Sequence, residues 1–328
     1  LTYSGKMIDG VKLTEALDGG EFTVRARVVV NATGIFSDDI LRMDTPAASP
    51  LITHSQGIHL VLDKRFLKGD TAIMVPQTED GRVLFAVPWH ERVLVGTTDT
   101  PVEGASLEPR PFAQEIDFVL KHAAQYMLED PTRQDILCVF AGLRPLVGAG
   151  EGKKTASISR DHHLEVSHSG LVTITGGKWT TYRKMAEDAV NQAALIAGLP
   201  ESDCRTRKLR IHGWLKNMDP QDSLRDFGSD AVFIRRIIKS DPEMGVKLHD
   251  NLPYVKAEVV WAVRNEMAQT LEDVLARRTR ALILDVAASM EIAESNRPHD
   301  GHMTFTYLQE RYDLRISTIP SVNGENMV

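Results

Sequence analysis

Two glycines followed by a lysine, Gly176-Gly177-Lys178, form the part of the sequence best suited to bind an anion. They separate a run of strand type from a run of helical type. The N-terminus of a helix presents free N–H groups and a partial positive charge, and Lys178 adds a full charge at the same place. An anion would suit this corner, and so would a ring edge that gains negative charge on reduction, such as the N1 and O2 side of a flavin.

A P-loop is the obvious alternative for this stretch, and the spacing excludes it. The pattern G-x-x-x-x-G-K-[ST] would need glycine at position 172 and serine or threonine at position 179, where the chain has Val172 and Trp179. A plain Gly-Gly bend with a solvated lysine is the structural alternative. We favour the anion site because polar side chains, Thr180 among them, crowd the first turn of the predicted helix.

A second turn of small residues, Ala32-Thr33-Gly34, follows the apolar run Val28-Val29-Val30. A continuous apolar run is typical of a strand buried on both faces in a parallel sheet. Small residues at the carboxyl end of such a strand let a cofactor approach the backbone. An ordinary tight turn explains the same residues equally well.

Three cations and one histidine complete the candidate chemistry. Arg144 and Arg160 offer planar forks that fit phosphate or carboxylate, and together with Lys178 they favour an anionic substrate. Each of them alone is more often a salt-bridge partner. His59 lies on a predicted strand and could accept a hydroxyl proton because its pKa lies near neutrality, although a lone histidine on a strand more often belongs to the core.

Elements of two kinds must position these residues. The patterns predict a hairpin over 10–31, short antiparallel strands between 57 and 100, a helix over 112–128, strands over 136–143, 164–167 and 171–175, and a helix over 180–197. After position 218 only helical patterns follow. The clearest runs from Thr270 to about Met290, and Thr270 and Asp273 resemble a capping box at its start.

Composition narrows the class of protein. The chain has 328 residues and a net charge of −7, so we expect two or three packed units and no general binding of nucleic acid. Cys138 and Cys204 are too few for a disulfide framework and fit a reducing compartment, with Cys138 as a buried thiol. The histidines and cysteines lack metal-ligand spacing, so we predict no metal site. The glycine-rich stretch 148–153 is interpreted as a loop, and the basic cluster 277–280 as a salt-bridged or domain-docking helix face.

Several of these stretches, in this order along the chain, resemble the FAD-dependent glycerol-3-phosphate dehydrogenases of the respiratory type and their sister glycerophosphate oxidases. The resemblance covers nearly the whole chain, and Gly-Gly-Lys-x-Thr-Thr-Tyr-Arg is its most specific part. It rests on Val30 to Gly34, Ser55 to His59, Pro88-Trp89, Val95 to Asp99, Gly142 to Leu146, Ser159-Arg160-Asp161, Gly176 to Glu187, Glu258 to Ala262 and Thr270 to Arg280.

This resemblance implies an α/β fold joined to an α domain. Parts of a FAD-binding Rossmann-type sheet would lie at 1–48 and 150–200, an antiparallel substrate-binding domain at 49–149 and a C-terminal helical domain at 201–328. It also implies oxidation of sn-glycerol 3-phosphate at C2 to dihydroxyacetone phosphate, with hydride transfer to FAD and electrons passed to a quinone or to oxygen. By resemblance, Arg144 and Arg160 bind the substrate phosphate, Lys178 is an active-site cation, and His59 accepts the proton. The implied flavin contacts are Ala32, Thr33, Gly34, Gly176, Gly177, Lys178, Trp179 and Thr180.

One departure from the family pattern is large. The family opens with G-x-G-x-x-G and an acidic ribose ligand, and this sequence has neither. We therefore expect a piece of a longer protein, which alone would hold little FAD and show no turnover. Two alternatives remain: a FAD-dependent amino-acid or 2-hydroxy-acid oxidase, and a non-catalytic chain whose residues 218–328 serve as an interaction module. We expect a cytoplasmic protein, and the resemblance is compatible with peripheral membrane contact and with a homodimer.

Overall fold

The computed structural model describes residues 1–17, 19–76, 78, 81–148, 161–293, 300–307, 310–321 and 324–327. The strands are β1 (Thr2–Ser4), β2 (Met7–Thr14), β3 (Glu21–Arg25), β4 (Val29–Asn31), β5 (Ile52–Asp63), β6 (Ile73–Val75), β7 (Leu84–Trp89), β8 (Arg92–Gly96), β9 (Thr100–Val102), β10 (Ile136–Val147), β11 (His162–Val166), β12 (Leu171–Gly176), β13 (Asp300–Tyr307), β14 (Glu310–Ser321) and β15 (Gly324–Met327). The α-helices are α1 (Ser37–Asp44), α2 (Ala113–Ala123), α3 (Tyr182–Ile196), α4 (Ala231–Ser240), α5 (Lys256–Asn265), α6 (Ala281–Leu284) and α7 (Val286–Ala293).

The largest sheet contains the six strands β5 to β10. Its order is β10-β5-β8-β7-β6, β9 pairs with β5, and every pairing is antiparallel, as the sequence predicts. One face packs on α2, where Ile58, Leu60 and Leu62 of β5 and Val119 of α2 are fully buried. Each such side chain contributes about 1.5–3 kcal/mol on burial. This face is the core of the sheet, and the opposite face is left for the site.

A smaller sheet of order β11-β12-β4 carries the two predicted turns. The pair β12 and β4 is parallel, as predicted, with Leu171 beside Val29. The predicted burial of the Val28–Val30 run on both faces is wrong, because Val30 is 42% exposed. Among the described strands β4 pairs only with β12, so it is an edge. The second strand of the hairpin predicted over 10–31 is also divided, with β3 pairing β2 and β4 pairing β12.

The helical unit packs against the large sheet. Its main core contains Leu252, Leu271, Leu275 and Leu284, all nearly inaccessible, and Trp89 from the end of β7 packs against this core. Arg92, at the start of β8, forms an ion pair with Asp285 at 3.5 Å. Strand and helical unit therefore share both apolar and charged contacts. None of the helices that the structure describes combines the length and hydrophobicity that a membrane span requires.

The helical unit confirms one sequence prediction and differs from two others. The capping box at Thr270 and Asp273 is confirmed, with reciprocal hydrogen bonds of 2.9 and 3.1 Å. The single long helix is wrong: a π-helical segment covers Asp273–Arg278, and the left-handed backbone of Arg280, φ 60°, separates it from α6. The all-helical prediction for 201–328 also differs over β13 to β15, which form an antiparallel sheet. The division into domains at 48, 149 and 200 stays a prediction.

Candidate active site

His59 and Arg144 lie on the face of the large sheet opposite α2. Strands β5 and β10 are antiparallel neighbours, with Phe140 facing His59 and Arg144 facing Ser55 across the pair. Since side chains two residues apart share a face, Phe140 and Arg144 point the same way. The rings of His59 and Phe140 stack, with centroids 5.3 Å apart. The pairing of two strands thus brings together residues 85 positions apart in the chain.

Two glycines provide the room that these side chains occupy. A Cβ added at Gly57 would lie 2.3 Å from Nη2 of Arg144, so the guanidinium group lies directly over the Gly57 backbone. A Cβ at Gly96 would lie 2.5 Å from the ring of His59 and 2.7 Å from the backbone oxygen of Ile58. Real Cβ contacts are longer than this, so only glycine is compatible with the observed positions.

The segment that follows β8 holds the guanidinium group. Nη2 of Arg144 donates to the hydroxyl of Thr97 at 2.8 Å, and Nη1 donates to the carbonyl of Thr98 at 3.1 Å. Nη1 also lies 3.7 Å from Oδ1 of Asp99, which accepts a hydrogen bond from the hydroxyl of Ser55. The Asp99 side chain is 14% exposed and that of Arg144 is 31% exposed. The cation is therefore fixed by three successive residues of one segment.

The same segment is anchored on the other face of the sheet by Glu115 of α2. Oε1 of this buried carboxylate accepts from the hydroxyls of Thr98 at 2.9 Å and Thr100 at 2.7 Å. Oε2 accepts from Nε2 of Gln56 at 2.8 Å and from the backbone N–H of Phe112 at 3.0 Å. With four charge-assisted hydrogen bonds, the carboxylate is fully satisfied although it is only 3% exposed.

The surroundings of His59 favour its neutral form. Burial lowers the pKa of the imidazole below its ordinary value of 6.5, and the positive charge of Arg144 lowers it further. A neutral imidazole at neutral pH can accept a proton from a substrate hydroxyl. The histidine predicted from its position on a strand therefore has both a cationic neighbour and the protonation state that a base needs.

The predicted Gly176-Gly177-Lys178 turn connects β12 to α3. Both glycines have left-handed backbone, φ 76° and 74°, and a Cβ at Gly176 would lie 2.7 Å from Cγ2 of Val147. The backbone N–H of Lys178 donates to the hydroxyl of Thr181 at 3.1 Å, where the helical region begins. Because Val147 ends β10, the strand of Arg144, the turn lies close to the large sheet. The side chains that follow the glycines, Lys178, Trp179 and Thr180, are all exposed.

The second predicted turn, Ala32-Thr33-Gly34, follows β4, the strand that pairs with β12. Nδ2 of Asn31, the last residue of β4, donates to the hydroxyl of Thr173 on β12 at 3.3 Å, and the hydroxyl of Thr33 donates to Oδ1 of Asn31 at 2.8 Å. Gly34 has a φ of 60°, and Ala32 and Thr33 are exposed. The two turns thus follow the carboxyl ends of adjacent parallel strands, as the sequence predicts for a cofactor edge.

One buried hydroxyl at this edge has no partner. Thr175 is 2% exposed, and its Oγ1 makes no hydrogen bond with any residue that the structure describes. A buried hydroxyl without a partner costs about 1–3 kcal/mol. It directly precedes Gly176-Gly177, so it points to a polar group that these residues would receive.

The structure therefore brings several predicted site residues together and leaves others apart. His59 and Arg144 share one face, and the two small-residue turns lie at one edge of the smaller sheet. Arg160, predicted as a phosphate ligand, lies outside the described residues. No group of three or more His, Cys, Asp or Glu side chains that could hold a metal ion occurs among residues that are described. The individual roles stay predictions.

The sequence prediction did not include the residues that hold Arg144. Thr97 and Asp99 belong to the resemblance motif, but nothing in their types indicated that they contact Arg144, 45 or more residues away. The available signal was the polar run Thr97-Thr98-Asp99 directly after the buried strand β8. Polar side chains at a strand end are typical of a site.

A cavity lies away from these residues, between the β7–β8 turn and the helical unit. It has a volume of about 690 Å³, and its lining includes His90, Tyr254, Glu258 and Arg280 but none of the predicted site residues. Burial raises the pKa of the Glu258 carboxyl to about 7. The Nε2 of His90 lies 3.3 Å from Asp226, and burial lowers the pKa of this imidazole, so the walls of the cavity meet through a polar contact.

Comparisons with known proteins find relatives over most of the chain. A family model described as FAD dependent oxidoreductase matches residues 3–183, and a model described as the C-terminal domain of alpha-glycerophosphate oxidase matches residues 144–295. A glycerol-3-phosphate dehydrogenase, mitochondrial, from Rattus norvegicus is 36% identical over 87% of the chain and 42% of its own length. A probable mitochondrial glycerol-3-phosphate dehydrogenase from Caenorhabditis elegans is 37% identical over 88% of the chain and 43% of its own length. The chain thus spans less than half the length of these relatives.

A solved structure has the same fold. The glycerol-3-phosphate dehydrogenase from Bacillus halodurans, complexed with FAD, superposes with a TM-score of 0.73 at 27% identity. The match covers 88% of the chain and 60% of that protein. The predicted class, an α/β fold joined to an α domain, and the resemblance described from the sequence are confirmed.

Proposed function

Because the chain belongs to the FAD dependent oxidoreductase family, we propose that the protein of which it forms part oxidises sn-glycerol 3-phosphate at C2 to dihydroxyacetone phosphate. The relatives named above carry that activity in their names. The single observation in this chain that supports the proposal most is the placement of a fixed cation, Arg144, and a neutral base, His59, on one face of the sheet. A phosphate and a hydroxyl of one small substrate need such a pair.

The residues at the edge of the smaller sheet fit the FAD that this reaction requires. Gly176 and Gly177 have left-handed backbone and carry no side chain, and the buried hydroxyl of Thr175 lacks a partner within the described part of the chain. Lys178, Trp179 and Thr180, with the turn Ala32-Thr33-Gly34, would hold the isoalloxazine side of the cofactor. When bound, FAD supplies the acceptor for the two electrons and the hydrogen that leave C2.

The chain's own residues have distinct tasks in the proposed reaction. Arg144 binds the substrate phosphate through N–H groups of its fork, with Arg160 and Lys178 as further cations. An imidazole nitrogen of His59 takes the proton of the C2 hydroxyl as the ketone forms. Burial favours the neutral imidazole and the positive charge of Arg144 adds to this effect, so Arg144 serves both binding and proton transfer.

Steady-state kinetics of the full-length protein test this proposal. We expect reduction of an artificial dye with sn-glycerol 3-phosphate and none with amino acids or 2-hydroxy acids. Arg144→Gln is expected to raise KM by about 30-fold or more, since a charged partner is left unpaired at a cost of about 2–4 kcal/mol. Arg133→Gln is the matched control, because the partners of Arg133 among the described residues are exposed groups of α2. Turnover of an amino acid instead of glycerol 3-phosphate would contradict the proposal, as would an unchanged KM for Arg144→Gln.

The electron acceptor is part of the same proposal. We propose a quinone, with oxygen as the alternative, and oxygen-consumption measurements with and without a quinone analogue distinguish the two. The expected homodimer stays a prediction, and light scattering of the full-length protein checks it.

An exposed segment supports the proposal of peripheral membrane contact. Residues 204–218 contain five cations and no acidic residue, although the chain as a whole is acidic. Apolar side chains lie between these cations, with Leu209 63%, Ile211 67% and Trp214 42% exposed. Interleaved basic and apolar groups suit a surface of anionic lipid, where each cation contributes about 1 kcal/mol.

Vesicle binding tests the membrane contact. We expect full-length protein to sediment with vesicles of phosphatidylglycerol and phosphatidylcholine, and less so at high salt. Changing Arg207, Lys208 and Arg210 to glutamine is expected to abolish sedimentation, whereas the same change at the exposed Lys121, Arg133 and Lys239 leaves it intact. Equal sedimentation of both triple variants would contradict the contact. We also propose a cytoplasmic location, supported by the free thiols of Cys138 and Cys204, and cell fractionation distinguishes it from the mitochondrial location in the relatives' names.

A further inference from the structure

The side chains of the segment Thr97–Thr100 contact two different groups in alternation, Arg144 and Glu115. Thr98 and Thr100 donate to Glu115 behind the sheet, at 2.9 and 2.7 Å. Thr97 and Asp99 contact Arg144 in front of it. The segment is therefore held from both sides of the sheet.

This arrangement restricts the guanidinium group to one position. Arg144 lies over Gly57, where no side chain resists its movement, so the glycine provides space but no restraint. The restraint comes from the hydroxyl of Thr97, the carbonyl of Thr98 and the carboxylate of Asp99. Of the three only Asp99 carries a charge, and the hydroxyl of Ser55 orients it.

We propose that Asp99 is a positioning residue that orients the Arg144 fork for the substrate phosphate. This inference rests on the proposed function. Two opposing effects make it testable. A carboxylate near an anion site weakens the attraction of that site by its charge, whereas a carboxylate that fixes a flexible arginine removes an entropic cost of binding. Positioning predicts weaker binding when the charge is removed, and the charge effect alone predicts tighter binding.

Kinetics of full-length Asp99→Asn, loaded with FAD, decide between these effects. Asparagine has nearly the same shape and can still accept from Ser55, so the variant is expected to fold and to keep its melting temperature. We expect KM for sn-glycerol 3-phosphate to rise about tenfold while kcat changes less than about threefold, because the lost interaction serves binding more than the chemical step. Asp117→Asn is the control, since Asp117 is 63% exposed and pairs with Arg133 on the surface.

A double-mutant cycle shows whether Asp99 acts through Arg144. In an Arg144→Gln background, Asp99→Asn is expected to add no further rise in KM. An additive rise, or a KM for Asp99→Asn at or below that of the wild type, would overturn the inference.

A binding measurement separates this inference from the proposed function. If the wild type fails to oxidise glycerol 3-phosphate, the proposed function is wrong, and calorimetry with inorganic phosphate then tests Asp99 directly. Weaker phosphate binding by Asp99→Asn than by Asp117→Asn supports the positioning role, and equal binding refutes it.

Discussion

The guanidinium group of Arg144 lies directly over the backbone of Gly57, where a Cβ would come within 2.3 Å of Nη2. The nearest atoms belong to the far end of a flexible side chain, which can move without disturbing the sheet. A substitution at Gly57 should therefore change function more than structure, whereas one at Gly96 should also disturb the structure.

Gly57→Ala is expected to fold and to displace Arg144. The new methyl group pushes the guanidinium away from Thr97 and Asp99, so we expect KM to rise about tenfold with little change in melting temperature. Gly96→Ala is the contrast, because its Cβ would meet the backbone oxygen of Ile58 at 2.7 Å. Overpacking of this kind costs about 1–3 kcal/mol of folding free energy. Thermal melts and steady-state kinetics of both variants check the distinction, and a wild-type KM for Gly57→Ala would contradict it.

The pKa of His59 is expected to lie below 6.5 and to depend on Arg144. Burial is the larger cause of the lowering and the charge of Arg144 is the second, so Arg144→Gln should raise the pKa towards its ordinary value without reaching it. NMR titration of histidine-labelled protein measures this directly, with His59→Asn to assign the resonance. The base form then persists into mildly acidic solution, and kcat should fall only as the pH drops through the lowered pKa. A pKa above 6.5 in the wild type would refute this account.

Glu258 is expected to make stability depend on pH. Burial raises the pKa of its carboxyl from 4.5 to about 7, so the folded state favours the protonated form. That contribution is fully present below pH 4.5 and is lost as the pH rises through 7. Glu258→Gln keeps an oxygen for the backbone N–H of Val255 and removes the charge. We expect it to stabilise the protein at pH 8 by on the order of 2–3 kcal/mol, and hardly at all at pH 4.5.

Melting temperatures measured across this pH range check the Glu258 prediction. The exposed Glu201→Gln is the control for a general change in charge. Equal gains at pH 4.5 and pH 8 would assign the effect to packing instead of protonation.

The two cysteines are expected to differ sharply in reactivity. Burial raises the pKa of the Cys138 thiol to about 12, whereas hydrogen bonds from Thr206 lower the pKa of Cys204 below its ordinary value. Only the thiolate reacts with disulfide reagents. When the native protein reacts with a chromogenic disulfide reagent, one thiol of this part of the chain should therefore be labelled quickly. Cys204→Ser should abolish this fast labelling, whereas Cys138→Ser should leave it unchanged. Fast labelling of Cys204→Ser would disprove the assignment.

Local pattern predicted the strands and the turns of the site, and it failed where tertiary contacts decide the outcome. The Gly-Gly turn, the capping box at Thr270 and the antiparallel sheet follow from residue types and spacing alone. The break at Arg280 does not, because a left-handed arginine has no sequence signal and is held by its surroundings. The exposure of Val30 likewise depends on which strands lie beside β4, and an apolar run cannot indicate that.

The cations and the base of the site can be predicted from the sequence, but the contacts between them cannot. His59 and Arg144 were identified by their chemistry and by motif. That Asp99 contacts Arg144, and that Glu115 holds the same segment from behind, depends on the register between β5, β8 and β10. Register is fixed by the whole sheet, so no window of sequence contains it.

The alternation of Thr97, Thr98, Asp99 and Thr100 between two faces has a consequence for how this stretch can change. Replacing one of these residues alters one contact, but inserting or deleting a single residue would exchange the faces of all those beyond it. Asp99 would then face Glu115 behind the sheet instead of Arg144, and threonine hydroxyls would face the substrate. Variation among natural sequences should therefore preserve the number of residues between β8 and β9 more strictly than the identity of any one of them. A loop grafted at this position must first have the same number of residues, and only then the same residue types.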